Sequence, residues 1–258
     1  MSAAKPVAPA VVRAVRILDF LAAATEPQTF SDLVRALGLP KSSVHGLCNT
    51  LLDLNLIQRL ESGHLTLGTH VMGWANAFLA RIDITQEFFA AWDDMRVMPE
   101  ETITLSILDG KDVVYIACRN GSRPLGVTFR TGMRLPAVYT ATGKAMLMTQ
   151  PSDHVRRLLA EGWPEPLTDL GPRNLEMLRE ELQAVRENGY SVDAGGVREG
   201  MHCFGAPVFD SHHPVAVAGV AVSLMANEVD ADAQRRAGEA MRRLANRLSE
   251  RLGATRRA

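Results

Sequence analysis

A chain of 258 residues is long for one compact domain and comfortable for two, at roughly 150 residues per domain. Hydrophobic residues at 47% and charged residues at 22% sit near the globular average and exclude wholesale disorder. A net charge of −1, from 28 basic against 29 acidic residues, excludes a global field toward nucleic acid or anionic lipid, so any such contact needs a local patch.

The first elements have helical periodicity. Val12, Val15, Ile17, Leu18 and Leu21 recur at spacings of three and four and predict a helix over about 11–24. Past Glu26-Pro27-Gln28-Thr29, a second helix carries Phe30, Leu33, Val34 and Leu37 on one face, capped by Thr29 or Ser31. Gly38-Leu39-Pro40 stops it, and a third helix begins at Pro40-Lys41-Ser42-Ser43, burying Val44, Leu47, Cys48, Leu51 and Leu52. Two short alternating runs around Glu61-Ser62-Gly63 read as a hairpin. Helix, helix, tight turn, helix, hairpin is the order of a winged helix-turn-helix over residues 10–67.

Residues 68–98 read as linker helices, with an aromatic stripe of Trp74, Phe78, Phe88, Phe89 and Trp92 that predicts packing on another subunit. Beyond Pro99 the pattern mixes strands and helices. A hairpin turns at Asp109-Gly110, helices are expected near 141–149, 152–161 and 174–188, and strands near 190–193, 203–209 and 215–224. A last helix over about 230–252 aligns Ala233, Ala237, Met241, Leu244, Leu248 and Leu252. Antiparallel strand pairs with segregated helices argue an α+β second domain over 99–252.

The second helix of a helix-turn-helix enters the major groove while its neighbour braces on the backbone. Here its exposed start offers Lys41, Ser42, Ser43 and His45, which suit phosphate contacts and base edges, and Arg59 adds a basic group on the hairpin. Residues 1–67 hold six basic against five acidic groups, so charge alone does not separate a DNA-binding domain from a three-helix domain that binds protein.

Tempting catalytic signals fail. Thr142-Gly143-Lys144 resembles the end of a P-loop, yet Val138 stands where its first glycine is needed and Ala145 where its hydroxyl is needed. His202 and Cys203 are adjacent on a strand and point to opposite faces. His202, Cys203, His212 and His213 have no recognised zinc spacing. No metal or cofactor is expected. No stretch approaches the ~18 apolar residues of a membrane span, and residues 1–10 lack the basic and apolar regions of a secretory signal. Three cysteines without a CxxC pair fit reduced thiols, so a cytoplasmic protein without membrane contact is expected.

Three stretches carry a family resemblance: Val12-Arg13-Ala14-Val15-Arg16-Ile17-Leu18, Leu39-Pro40-Lys41-Ser42-Ser43-Val44-His45, and Ser62-Gly63-His64-Leu65-Thr66-Leu67-Gly68. The likeness continues in Arg130-Thr131-Gly132-Met133-Arg134-Leu135-Pro136 with Ala141-Thr142-Gly143-Lys144-Ala145, in Asn188-Gly189-Tyr190-Ser191-Val192-Asp193, and in the run 200–208. Over about 10–252 the chain resembles isocitrate-lyase-regulator (IclR) type bacterial transcription factors. The resemblance implies a winged-helix DNA-binding domain, a dimerising linker and a GAF-like effector-binding domain with an antiparallel sheet. It further implies a homodimer or dimer of dimers on double-stranded operator DNA. The family often has arginine at the position of Gly46 and tyrosine at that of Leu65, so the operator cannot be inferred from relatives.

The resemblance places an effector pocket at Leu135, Ala141, Thr142, Gly143, Asp193, Cys203 and Ser223, for a small organic acid, with hydroxylated and aromatic acids as candidates. Free N–H groups at the helix start near Thr140 suit a carboxylate. The ordinary roles are Asp193 as a turn cap, Cys203 as a small core residue and Ser223 as a strand end. The expected function is a ligand-responsive transcriptional regulator of a catabolic operon, not an enzyme. The alternatives are an acyl-transferring or hydrolytic enzyme with an appended interaction domain, and a sensor acting on another protein.

Overall fold

A computed structural model describes residues 8–80, 84–121 and 129–254, without the side chains of Asn76 and of residues 78–80. The chain forms two compact units that divide at residues 81–82.

The first unit contains helices α1 (Pro9–Ala23), α2 (Phe30–Leu37) and α3 (Lys41–Asp53), strands β1 (Ile57–Arg59) and β2 (Leu65–Leu67), and α4 (His70–Ala80). Thr29 caps α2 reciprocally with Asp32. The Thr29 hydroxyl accepts the Asp32 N–H at 3.2 Å, and the Asp32 carboxylate accepts the Thr29 N–H at 3.0 Å. These bonds hold the Asp32 carboxyl below the usual carboxylate range. Gly38, at φ +62°, ends α2 in the left-handed region, and the chain re-enters helix at Lys41 after Pro40. Ile17, Leu33, Val44, Cys48, Ile57 and Leu65 form one core. β1 and β2 pair antiparallel, and Gln28 adds a bridge to Leu65 through N–H···O contacts of 3.0 and 2.7 Å in the two directions, which the sequence pattern did not signal.

The second unit contains α5 (Ile84–Met95), β3 (Thr102–Asp109), β4 (Asp112–Arg119), β5 (Arg134–Pro136), α6 (Ala141–Thr149), α7 (Ser152–Ala160), α8 (Leu175–Asn188), β6 (Ser191–Ala194), β7 (Met201–Val208), β8 (Ala218–Met225) and α9 (Ala231–Arg251). Six strands form one antiparallel sheet in the order β5-β4-β3-β8-β7-β6. Glycine lets α6 lie directly on it. A Cβ on Gly205 would stand 2.7 Å from the Ala141 carbonyl carbon, and one on Gly219 would stand 3.0 Å from the Thr142 oxygen. By strand alternation Phe204, Ala206, Val220 and Val222 point to the opposite face, where α9 packs on β7 and β8 and α5 packs on α9.

The expected aromatic stripe is corrected here. Phe88 and Trp92 are buried within their own unit because α5 packs against α9 and β4. The Trp92 ring lies under the Arg119 guanidinium at 3.9 Å, and its N–H donates to the Val97 carbonyl at 3.1 Å. Trp74 and Phe89 are exposed, and the side chain of Phe78 lies outside the described residues. Among the described residues no helix is long and apolar enough to cross a membrane.

Candidate functional site

The third helix divides cleanly by face. Val44, Cys48 and Leu51 are buried, while Lys41, Ser42, His45, Gly46, Asn49 and Thr50 are exposed. Ser43 is half-buried, so it belongs to the edge of that face. His45 is fixed from two sides: its ring meets Phe30 edge-on at 5.7 Å, and Nδ1 lies 3.2 Å from Asn49 Nδ2. Asn49, one turn beyond His45 on the same face, is the candidate contact that sequence reasoning missed. Its i+8 spacing from Lys41 was the available signal. Arg59 is exposed on β1 opposite Leu65, whose own side chain is core. The tip is set by Gly63 at φ +80°, with His64 Nδ1 3.0 Å from the Ser62 hydroxyl.

In the second unit, sheet register brings distant residues together. Asp193 pairs with Cys203, Cys203 with Ser223, and Ser223 with Thr102, giving one row across four strands. Cys203 Sγ lies 3.2 Å from Ser223 Oγ. Asp193, Cys203 and Ser223 of this row, with the start of α6, Tyr115, Phe129 and Met201, line a cavity of about 10 Å³, room for roughly one water. Five of the seven expected residues line it: Ala141, Thr142, Asp193, Cys203 and Ser223.

The other two do not. Leu135 lies on β5 opposite Val113, at the edge of the core. Gly143 lies under the first turn of α6, where a Cβ would stand 2.2 Å from the Ala137 oxygen. Its N–H is also taken, donating to the Thr140 hydroxyl at 3.0 Å. Thr140 is thus the N-cap, and the N–H groups still open at the helix start are those of Ala141 and Thr142. Sequence reasoning missed Thr104, Tyr115, Phe129 and Met201. For Thr104 the signal was alternation: Thr102, Thr104 and Ser106 are polar, buried and on one face of β3.

The polar atoms of this cavity are incompletely paired. Asp193 accepts the Gly196 N–H at 2.6 Å on Oδ1, while Oδ2 is buried without a partner, as is Thr142 Oγ1. Burial pushes the Asp193 carboxyl up to about 6, against the opposing pull of Lys144 and the Gly196 and Val197 N–H groups. Lys144, itself buried, is ion-paired with Glu181 and donates to the Val192 carbonyl at 3.1 Å. Burial likewise pushes the Cys203 thiol far up, which makes it a poor nucleophile. His202, the neighbouring base, points to the other face of the sheet.

A polar cavity beneath a helix start, in a chain that also carries a winged helix-turn-helix, fits a sensor joined to a DNA reader. The family model for the IclR helix-turn-helix domain matches residues 10–61, and that for the bacterial transcriptional regulator IclR C-terminal domain matches residues 76–250. The chain belongs to the IclR family. The HTH-type transcriptional regulator XynR of Escherichia coli (strain K12) is 30% identical over 229 residues, covering 87% of this chain and 89% of the relative. The crystal structure of the Agobacterium tumefaciens repressor BlcR matches at 42% identity and a TM-score of 0.64, over 98% of this chain and 100% of that one. An IclR homolog from Microbacterium hydrocarbonoxydans, crystallised with 4-hydroxybenzoate, shares the fold at a TM-score of 0.78 and 18% identity, over 93% and 98%. As an IclR-family member this chain is a transcriptional regulator with a DNA-binding and an effector-binding domain. The relatives are regulators, and the enzymatic alternative is not supported.

Proposed function

We propose that this IclR-family protein binds operator DNA through the exposed face of α3 and the β1–β2 hairpin, as a cytoplasmic dimer or dimer of dimers. In this reading it regulates a catabolic operon in response to a small organic acid. The observation that carries the effector reading is the set of buried, unpartnered atoms Asp193 Oδ2 and Thr142 Oγ1 beside the open N–H groups of Ala141 and Thr142. A carboxylate sits on those N–H groups, and a hydroxyl or hydrated carbonyl at its other end donates to Asp193 near Cys203 and Ser223. The Microbacterium relative bound to 4-hydroxybenzoate supports an acid bearing a second polar group.

The cavity of about 10 Å³ is too small for any such acid, so binding has to part its walls. Ligand-bound and ligand-free domains then differ in conformation, which is the condition for a ligand to shift DNA affinity. Exposed Val11, Val15, Met72 and Trp74 on α1 and α4 support a subunit contact. The test is calorimetry of hydroxy and oxo acids, including hydroxybenzoates, with wild type, Asp193→Asn and Ser223→Ala, joined to gel shifts on the DNA flanking the gene. An acid that alters the gel shift yet binds both variants with wild-type affinity would place the effector elsewhere.

A further inference from the structure

A second opening lies at the far end of α6. Leu147 and Gln150 at that end, Ser152 and Val155 of α7, and Leu175, Arg179, Leu182, Gln183 and Arg186 of α8 border a groove of about 240 Å³. Its floor is apolar: Leu147, Val155 and Leu182 are buried side chains of the domain core. Its rim is rich in donors. Arg179 and Arg186 stand seven residues apart on α8, and that spacing puts both on one helix face. Neither has an ion-pair partner among the described residues. Arg186 is held in place by the Met148 carbonyl at 3.3 Å and the Gln183 side-chain oxygen at 3.4 Å. Of the neighbouring acids, Glu187 accepts from Gln183 of the rim at 2.9 Å, and Asp153 pairs with Arg156 at 2.8 Å.

An apolar floor beneath two unneutralised guanidinium groups selects one kind of small molecule: an anionic head that both arginines can bind, on a short apolar body that covers the leucines. We propose that this groove is a second ligand site, separate from the cavity at Asp193, for a small amphipathic carboxylate. Both sites are built on α6, whose first turn lines the cavity and whose last turn lines the groove. From Thr142 at the cavity to Leu147 at the groove is five residues, about 7.5 Å of continuous helix at ~1.5 Å each. A ligand in the groove that shifts α6 therefore acts on the same element as an acid in the cavity.

The experiment is calorimetry of octanoate with the full chain, with 1-octanol as the uncharged control and inorganic phosphate as the head without a body. Proteins compared are wild type, Arg179→Ala/Arg186→Ala and Asp193→Asn, each checked by circular dichroism. Octanoate should bind wild type and Asp193→Asn alike and at least tenfold more weakly to the double arginine variant, with 1-octanol and phosphate both weaker than octanoate. Equal octanoate affinity in the double variant, loss of binding in Asp193→Asn alone, or no binding at millimolar octanoate overturns the proposal. So does a double variant whose sedimentation shifts to a smaller assembly while octanoate affinity is unchanged, since the groove then seats another copy of the chain. Because the arginines lie outside the cavity, these outcomes leave the effector reading at Asp193 to its own test.

Discussion

Asp193 serves Gly196 and the cavity at once: one carboxylate oxygen accepts the Gly196 N–H at 2.6 Å, and the other stays buried without a partner. The glycine permits this approach, since a Cβ at Gly196 would stand 3.0 Å from that same oxygen. The turn-cap role and the binding role are therefore compatible. The capped oxygen fixes the carboxyl, and fixing it aims the free oxygen into the cavity.

A buried carboxyl pushed up to about 6 has a consequence for stability. The unfolded chain releases this proton near ~3.9, so between about 4 and 6 the folded state binds more protons than the unfolded state. The contribution to stability is complete below the lower value and is lost as pH rises through the upper one. Asp193→Asn should remove this slope and leave the ligand-free protein more stable than wild type at pH 7.5, on the order of 1–3 kcal/mol. Urea denaturation from pH 4.5 to 7.5 measures it. Parallel pH profiles for the two proteins would contradict the assignment.

Gly205→Ala should have the opposite effect. The new methyl would stand 2.7–2.8 Å from the carbonyl carbon and oxygen of Ala141 and 2.9 Å from the Ser191 hydroxyl, which itself donates to Ala141 at 2.6 Å. To make room, the start of α6 has to lift off β7, at a cost of about 1–3 kcal/mol. Because that start holds the Ala141 and Thr142 N–H groups, effector affinity should fall together with Tm. Loss of stability with unchanged affinity would detach the helix start from the ligand.

The local elements were legible in the sequence because each has its own punctuation: Thr29 with Asp32, Gly38 before Pro40, Gly110 in the hairpin, Asp230 capping α9. The lining of the cavity at Asp193 was legible in part. Asp193, Cys203 and Ser223 are polar or small residues on separate strands, and the register that aligns them is a tertiary property. Thr104 and Tyr115 went unseen because alternation on β3 and β4 does not tell a polar face toward solvent from one toward a cavity. Leu135 and Gly143 lie outside the cavity lining for the converse reason. They are near the site in sequence, but pairing on β5 and close packing against Ala137 direct them elsewhere. Phe88 and Trp92 carried no mark that their cover was α9 and β4 of the same unit.

The proposed subunit contact rests on the first unit's apolar surface. Val11 is 62% exposed, Val15 48% and Trp74 55%, an arrangement that favours burial against a partner. Wild type should sediment above the 28.1 kDa of one chain, and Val15→Glu with Trp74→Glu should shift it toward that mass. A wild-type monomer at micromolar concentration would remove the dimer from the proposal.

The exposed face of α3 yields a paired test at Lys41 and Asn49. In the proposed interface Lys41, at the helix start, contacts phosphate, and Lys41→Ala should weaken binding on all sequences and reduce the salt slope by about one counterion. Asn49 lies on the same face two turns on, where a side-chain amide can pair with adenine N6 and N7, so Asn49→Ala should cost about 1–3 kcal/mol and relax preference at one base pair. His45, 3.2 Å from Asn49, orients that amide, so His45→Ala should reproduce part of the Asn49 effect. Gly46, exposed between them with open space around a Cβ, is the internal control. Gly46→Ala should stabilise the helix by roughly 0.5–1 kcal/mol and leave base preference unchanged, while Gly46→Arg should steepen the salt slope by about one. Binding-site selection on wild type and the five single-residue variants, followed by affinity measurements from 50 to 200 mM salt, reads all of these outcomes. If Asn49→Ala and His45→Ala select the wild-type sequence with wild-type affinity, this face of α3 does not read bases.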